Sequence, residues 1–323
     1  MSNLEAAPPE LVCETGASSG VEVLEPREVP LGGPRALTVR RTLPQKRRSL
    51  IGAWCFCDHY GPDPVERAGE MDVPPHPHTG LQTVSWLFQG EIEHADSVGS
   101  HAFVRPGQVN LMTAGSGIQH SEVSTAATEE LHGVQLWTAL PDEFRQTAPF
   151  FEHDRPEPAT IGDARLQVFV GSLLGSSSTV TTFSPLLGAQ LDLPAGGSAT
   201  LPADPAFEYG LLVDAGAATL QGVAVPKDHL GYAPPGQGEL VVTAGDTPLR
   251  AVLLGGVPLG EPIVMWWNFI GRDHDEIVSY REQWQREVIA GGTPDGRFGI
   301  LEGHPFGALP APELPKVRLR PRD

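Results

Sequence analysis

The sequence predicts an all-β protein of two successive barrels followed by one helix, and three observations carry that reading. The chain has 323 residues, more than a usual single domain. Its 37 Gly and 32 Pro punctuate short apolar runs, and long helical patterns are few. The runs fall into two blocks of similar length and layout, separated by a stretch rich in Pro, Asp and Glu.

Taken in order, residues 1–20 are polar, with small residues and a Pro pair, and read as a flexible arm. Residues 21–141 form the first block. LQTVSWLF precedes Gln89-Gly90, HAFV precedes Arg105-Pro106-Gly107, and NLM precedes the Gly115-Ser116-Gly117 turn, spacings that suit an antiparallel barrel. Residues 142–164 have the composition of a connection, with Phe150 and Phe151 available to pin it against a barrel. Residues 165–271 repeat the strand layout, with PPGQGELVV in the place of RPGQVNLM. Residues 272–323 hold a helix and a Pro-rich, irregular tail. Asp273 or Asp275 can cap that helix, Glu276 gives an acidic first turn, and Gly291-Gly292 ends it. Ile277, Tyr280, Trp284 and Val288 make an amphipathic stripe that should pack on a barrel.

The formal net charge is −18, which repels phosphate backbones and argues against direct nucleic-acid binding. The start of the chain has neither a basic segment nor an apolar core, so it does not read as a secretory signal. No stretch reaches the ~18 apolar residues of a membrane-spanning helix. Three cysteines, Cys13, Cys55 and Cys57, do not suit a disulfide framework, and the cytoplasm is the expected location. Cys55 and Cys57 read as ordinary strand residues.

The chemistry is concentrated in PPHPHTG and GSGIQHSE. Alternate residues of a strand share a face, about 6–7 Å apart, so His76 and His78 can converge on one ion. His120 and Glu122 repeat that spacing, with Ile118 on their face and Gln119 and Ser121 turned away. One such pair is commonly no more than two turn histidines; two pairs on separate strands point to a metal. Three imidazoles and a carboxylate suit Fe(II), Mn(II), Ni(II), Co(II), Cu(II) or Zn(II), and they leave one or two coordination positions open for chemistry. His94 and His101 lie near in sequence and read as hairpin residues, His94 with an alternative role beside the metal. Trp86 and Phe88 read as core. His229, Glu208 and Glu239 form no comparable set, so the second barrel is expected to hold no metal.

HPHTGLQTVSWLFQGEIEHADSVGSH, continued by RPGQVNLMTAGSGIQHSE, resembles the signature of the pirins, and LGEPIVMWWNFIGRDHDEI resembles the end of their C-terminal domain. The resemblance implies two cupin barrels with a metal in the first only, held at His76, His78, His120 and Glu122, with Fe(II) the first expectation. The family often carries Glu where this chain has Gln82, a position that general cupins use as a ligand; a neutral amide would bind more weakly. The resemblance further implies a quercetin 2,3-dioxygenase, a metal enzyme taking a small aromatic substrate and O₂ and releasing carbon monoxide, with Glu122 as catalytic base. Its alternative is a redox-sensitive regulator acting through a protein partner.

Overall fold

The computed structural model describes residues 20–31, 37–64, 71–291, 293 and 295–321, so the arm expected at 1–20 falls outside it except for Gly20. Two β barrels of the same design account for most of the described chain. In the first, a seven-stranded sheet runs in the order Phe150–Asp154, Val109–Thr113, Leu81–Gln89, Glu130–Ala139, Trp54–Pro64, Leu37–Leu43, Arg27–Leu31. It faces a four-stranded sheet of Asp72–His78, Ile118–Ser124, Ile92–Asp96 and His101–Val104. The second barrel repeats seven strands against four. Its large sheet runs Glu22–Leu24, Leu230–Ala233, Glu208–Ala215, Leu249–Gly256, Leu186–Leu193, Ala164–Val170, Ala159–Ile161. The duplicated punctuation of the sequence therefore corresponds to a duplicated architecture.

The strands do not divide at the expected boundaries. Glu22–Leu24, expected in the first barrel, hydrogen-bonds to Leu230–Ala233 of the second. The stretch 142–164, expected as a connection, supplies Phe150–Asp154 to the first barrel and Ala159–Ile161 to the second. In both cases the deciding contact is a long-range ladder, which local composition does not encode.

The two barrels pack through the outer faces of their large sheets. Trp54, Val84, Trp86, Val134 and Leu136 interdigitate with Phe169, Leu186, Leu212, Val252 and Leu254 in one continuous apolar core. Trp86 stacks on Phe169 at 4.9 Å, and the Trp54 indole donates to the carbonyls of Leu187 and Gly255, each at 3.1 Å. An aromatic side chain of this size buries about 200 Å², an upper bound of about 5 kcal/mol each, so the junction is a core and not a hinge. Backbone meets backbone at Gly52, where an added Cβ would lie 2.6 Å from Gly256 Cα.

Among the described residues one α-helix follows, His274–Trp284, continued by a π-helical turn Gln285–Ile289. Of the two candidate caps the structure uses Asp273, whose side chain accepts the Glu276 N–H at 2.9 Å. Ile277, Tyr280 and Trp284 are buried as the stripe required, but against the Val264–Trp266 and Phe269–Gly271 hairpin and the tail instead of a barrel strand. The tail is irregular yet anchored, its Leu309 N–H donating to Pro75 O at 2.8 Å and its Gly299 O accepting from Gln119 at 2.7 Å. No helix is long and apolar enough to cross a membrane among the described residues.

Candidate metal centre

The interiors of the two barrels differ in kind. The second is filled by Leu, Val, Ala and Tyr side chains. The first holds two apolar clusters. One contains Val73, Leu87, Ile92 and Leu131; the other contains Leu81, Ile118, Trp137 and Ile270. Along each strand a polar residue falls between the two: Ser85 between Leu81 and Leu87, His94 beyond Ile92, Gln135 between Leu131 and Trp137, His120 and Glu122 beyond Ile118. A polar layer thus crosses the first barrel.

The histidines of that layer are set by one register. His120 lies opposite His76, and Ile118 opposite His78. The ladder then skips, pairing Glu122 with Val73, so Pro74 and Pro75 form a bulge on the edge strand. Prolines donate no N–H, and an edge-strand bulge is where a ladder tolerates them. The bulge also turns the Pro74 carbonyl onto His76 Nδ1 at 2.9 Å. That carbonyl requires a proton on Nδ1, which leaves the Nε2 lone pair pointing inward. His78 is fixed the same way by Asn268 O at 3.1 Å from its Nδ1.

For His120 the tautomer is set at a distance. Asp96 accepts the backbone N–H groups of Val98 and Ser100 on Oδ1, at 3.0 and 2.9 Å, and faces His94 Nε2 with Oδ2 at 3.1 Å. In the neutral relay His94 donates from Nε2 to Asp96, its Nδ1 accepts from His120 Nδ1 at 3.3 Å, and His120 keeps a lone pair on Nε2. That nitrogen is 3.1 Å from His78 Nε2.

Three imidazoles therefore aim lone pairs at one another. Their rings lie 4.4–5.0 Å apart, their ligand atoms fall within 4.8 Å, and His76 Nε2 is buried without a hydrogen-bond partner. Converging lone pairs repel unless a cation lies between them. Two donors about 2.1 Å from one ion sit about 3.0 Å apart at a right angle, so the 3.1 Å separation of His78 and His120 fits such an ion. Burial pushes all three imidazoles well below their ordinary range, which keeps them neutral and able to coordinate.

Glu122 joins this layer less tightly. Its carboxylate groups with His120 and His94, and no single grouping within 4.8 Å contains all four expected ligands. Ser85 Oγ lies 3.2 Å from Glu122 Oε1 and 2.8 Å from Gln135 Oε1, yet a hydroxyl has one proton, and Gln135 Nε2 is buried without a partner. Turning the Gln135 amide over resolves both: it donates to Ser85, and Ser85 donates to Glu122.

The other sequence candidates separate clearly. Gln82 is not at the centre. It shares a face with Val84 and Trp86, toward the second barrel, and bonds Thr113 Oγ1 at 2.9 Å, Thr181 O at 3.0 Å and Thr138 Oγ1 at 3.2 Å. His101 pairs with Glu93 on the exposed hairpin. Phe151 stacks on His94 at 4.6 Å, and Trp137 meets His78 edge-on at 5.0 Å. Cys55 and Cys57 are buried free thiols, and burial pushes Cys57 up to about 12, far from a reactive thiolate. The run Asp58-His59-Tyr60 splits by strand alternation. Asp58 binds Arg41 in a buried two-point pair at 2.7 and 2.8 Å, while His59 reaches Asp214 of the second barrel at 2.7 Å. His132 and Arg250 meet the same Asp214, each at 2.5 Å. Burial alone would raise Asp214, but hydrogen bonds from His132 and His59 hold its carboxyl well below the usual range. Asp96, Ser85, Gln135 and Asp214 were not visible as site residues in the sequence. The only local signal was the alternation of His94 and Asp96 in IEHAD.

Residues 36–138 match the pirin family, and residues 188–290 match the pirin C-terminal cupin domain. A Pseudomonas aeruginosa protein provisionally named quercetin 2,3-dioxygenase is 42% identical over 288 residues, covering 88% of this chain and 89% of that one. A Caulobacter vibrioides pirin-like protein is 36% identical over 273 residues, covering 81% and 92%. The crystal structure of quercetin 2,3-dioxygenase from Acinetobacter baumannii superposes with a TM-score of 0.86 at 36% identity, covering 94% of this chain and 98% of that one.

Proposed function

Because the chain belongs to the pirin family, we propose that it is a metal-dependent dioxygenase that opens the heterocycle of quercetin or a related flavonol with O₂ and releases carbon monoxide. His76, His78, His120 and Glu122 would hold one divalent transition metal, Fe(II) in the first instance, with Mn, Ni, Co, Cu or Zn as alternatives. Such an ion supplies positive charge that favours the flavonol oxyanion, together with open coordination positions.

The protein's own groups account for the rest of the chemistry. The Pro74 and Asn268 carbonyls fix His76 and His78 as neutral donors, and the His94–Asp96 pair does so for His120. Glu122 offsets charge and takes the proton of the flavonol hydroxyl, while the Ser85 hydrogen bond to Oε1 orients it. The apolar clusters on either side of the layer keep bulk water away from the reacting ring.

The observation that carries this reading is the convergence of three neutral imidazole lone pairs, one of them buried without a partner. The test is turnover. Protein loaded with iron, manganese, nickel, cobalt or copper is mixed with quercetin in air, following loss of the flavonol absorbance and release of carbon monoxide. Loss of absorbance with stoichiometric carbon monoxide supports the assignment; no turnover with any of the five metals overturns it.

A further inference from the structure

A cavity of about 550 Å³ lies between the barrels and is lined by none of the residues grouped at the metal centre. Its volume is that of a small-molecule site. Three of its twelve lining residues are arginines, Arg155, Arg165 and Arg250, in a chain with 22 basic residues among 323. Only one lining residue, Glu157, is a carboxylate. Composition does not explain this concentration of positive charge on a protein of net charge −18.

Strand register builds the cationic wall. On the large sheet of the second barrel Arg165 stands opposite Asp192, and Asp192 opposite Arg250, so two guanidinium groups flank one carboxylate on a single face. Neither arginine is fully neutralised there. The Arg165–Asp192 contact is 3.5 Å long with Arg165 half exposed, and Gln190 competes for both Asp192 oxygens at 2.9 and 3.1 Å. Arg250 binds Asp214, but that carboxylate is shared with His59 and His132. The Arg155 side chain, contributed by the segment joining the barrels, has no hydrogen-bond or ion-pair partner among the described residues. Phe88 of the first barrel gives the cleft an aromatic surface, with the Arg250 guanidinium 4.5 Å over its ring.

We propose that this cleft binds a small organic polyanion, a molecule bearing two or more carboxylate or phosphate groups. Guanidinium forks match the planar oxygens of both groups. The negative field of the rest of the protein opposes any anion, so a single charge gains too little and several contacts are needed. The bound molecule would touch both barrels and the segment between them, and so raise the stability of the whole chain.

Calorimetric titration with succinate and with fructose 1,6-bisphosphate, at matched ionic strength and with metal content checked afterwards, distinguishes the two chemistries. Saturable one-to-one binding of either, accompanied by a raised Tm, is the expected result. R155A/R165A should weaken it about tenfold or more, while R318A, an exposed arginine elsewhere, should leave it unchanged. Circular dichroism of the double variant reports that it is folded. Binding of neither probe overturns the proposal, as does binding that survives in R155A/R165A.

Discussion

His120 and His94 face each other through their Nδ1 atoms at 3.3 Å, and only one proton can lie between them. Which ring owns it is decided by Asp96, two residues beyond His94 on the same strand, because a carboxylate can only accept. The tautomer of one candidate ligand therefore depends on a carboxylate that hydrogen-bonds to its neighbour His94 and not to the His120 ring itself.

Asp96→Asn tests that dependence. The amide can donate to His94 Nε2, reversing both rings and putting a proton on His120 Nε2. Metal affinity should fall about 10- to 100-fold, the usual scale for losing the partner of a ligating histidine. Competition against a chromophoric chelator measures it. Unchanged affinity in a folded variant would remove the relay from the account.

Acid should destabilise the metal-free protein through the same histidines. Burial keeps His76, His78 and His120 neutral in the folded state, whereas unfolded imidazoles take up protons below about 6.5. The unfolded chain then binds more protons, so stability falls as pH drops below about 6.5, by about 1.4 kcal/mol per unit for each imidazole. Above that pH both states are neutral and these groups contribute no slope. Urea midpoints at pH 7.5, 6.5 and 5.5 read this directly, and His120→Ala should remove about a third of the slope.

Gln82→Glu separates the structure from the expectation drawn from general cupins. Were position 82 a ligand, the carboxylate would tighten metal binding. Here it would instead face the Thr181 carbonyl and lose the two bonds that the amide donates. Metal affinity should stay within about twofold while stability falls by about 1–3 kcal/mol. A marked gain in affinity would return this position to the metal.

Asp214→Ala should act at the junction of the barrels. It leaves His59, His132 and Arg250 without their shared acceptor, and breaking one partner of a buried charged network costs about 3–5 kcal/mol. Chemical denaturation measures the loss. A change under about 1 kcal/mol would mean that the cluster is not holding the barrels together.

The part of this molecule legible from sequence is the part written in strand alternation. His76, His78, His120 and Glu122 announce themselves because a period of two puts each pair on one face. The face that Gln82 takes was not legible, because it depends on which side of the large sheet the second barrel covers, and that is settled by Trp86, Phe169 and their neighbours far along the chain. Asp214 was invisible for the same reason: its partner His59 is 155 residues away. The bulge at Pro74–Pro75 shifts the register by one residue, and no local pattern announces which carbonyl it will aim at His76.

The crossing of Glu22–Leu24 into the second barrel bears on how the chain can be made and cut. On the ribosome this strand emerges before anything in the first barrel, yet its partner Leu230–Ala233 is synthesised some two hundred residues later. An excised second half would present Leu230–Ala233 as a bare sheet edge, an invitation to pair with a neighbour. The gene thus behaves as one unit under truncation. Splitting it at the midpoint should yield insoluble halves that regain solubility when co-expressed.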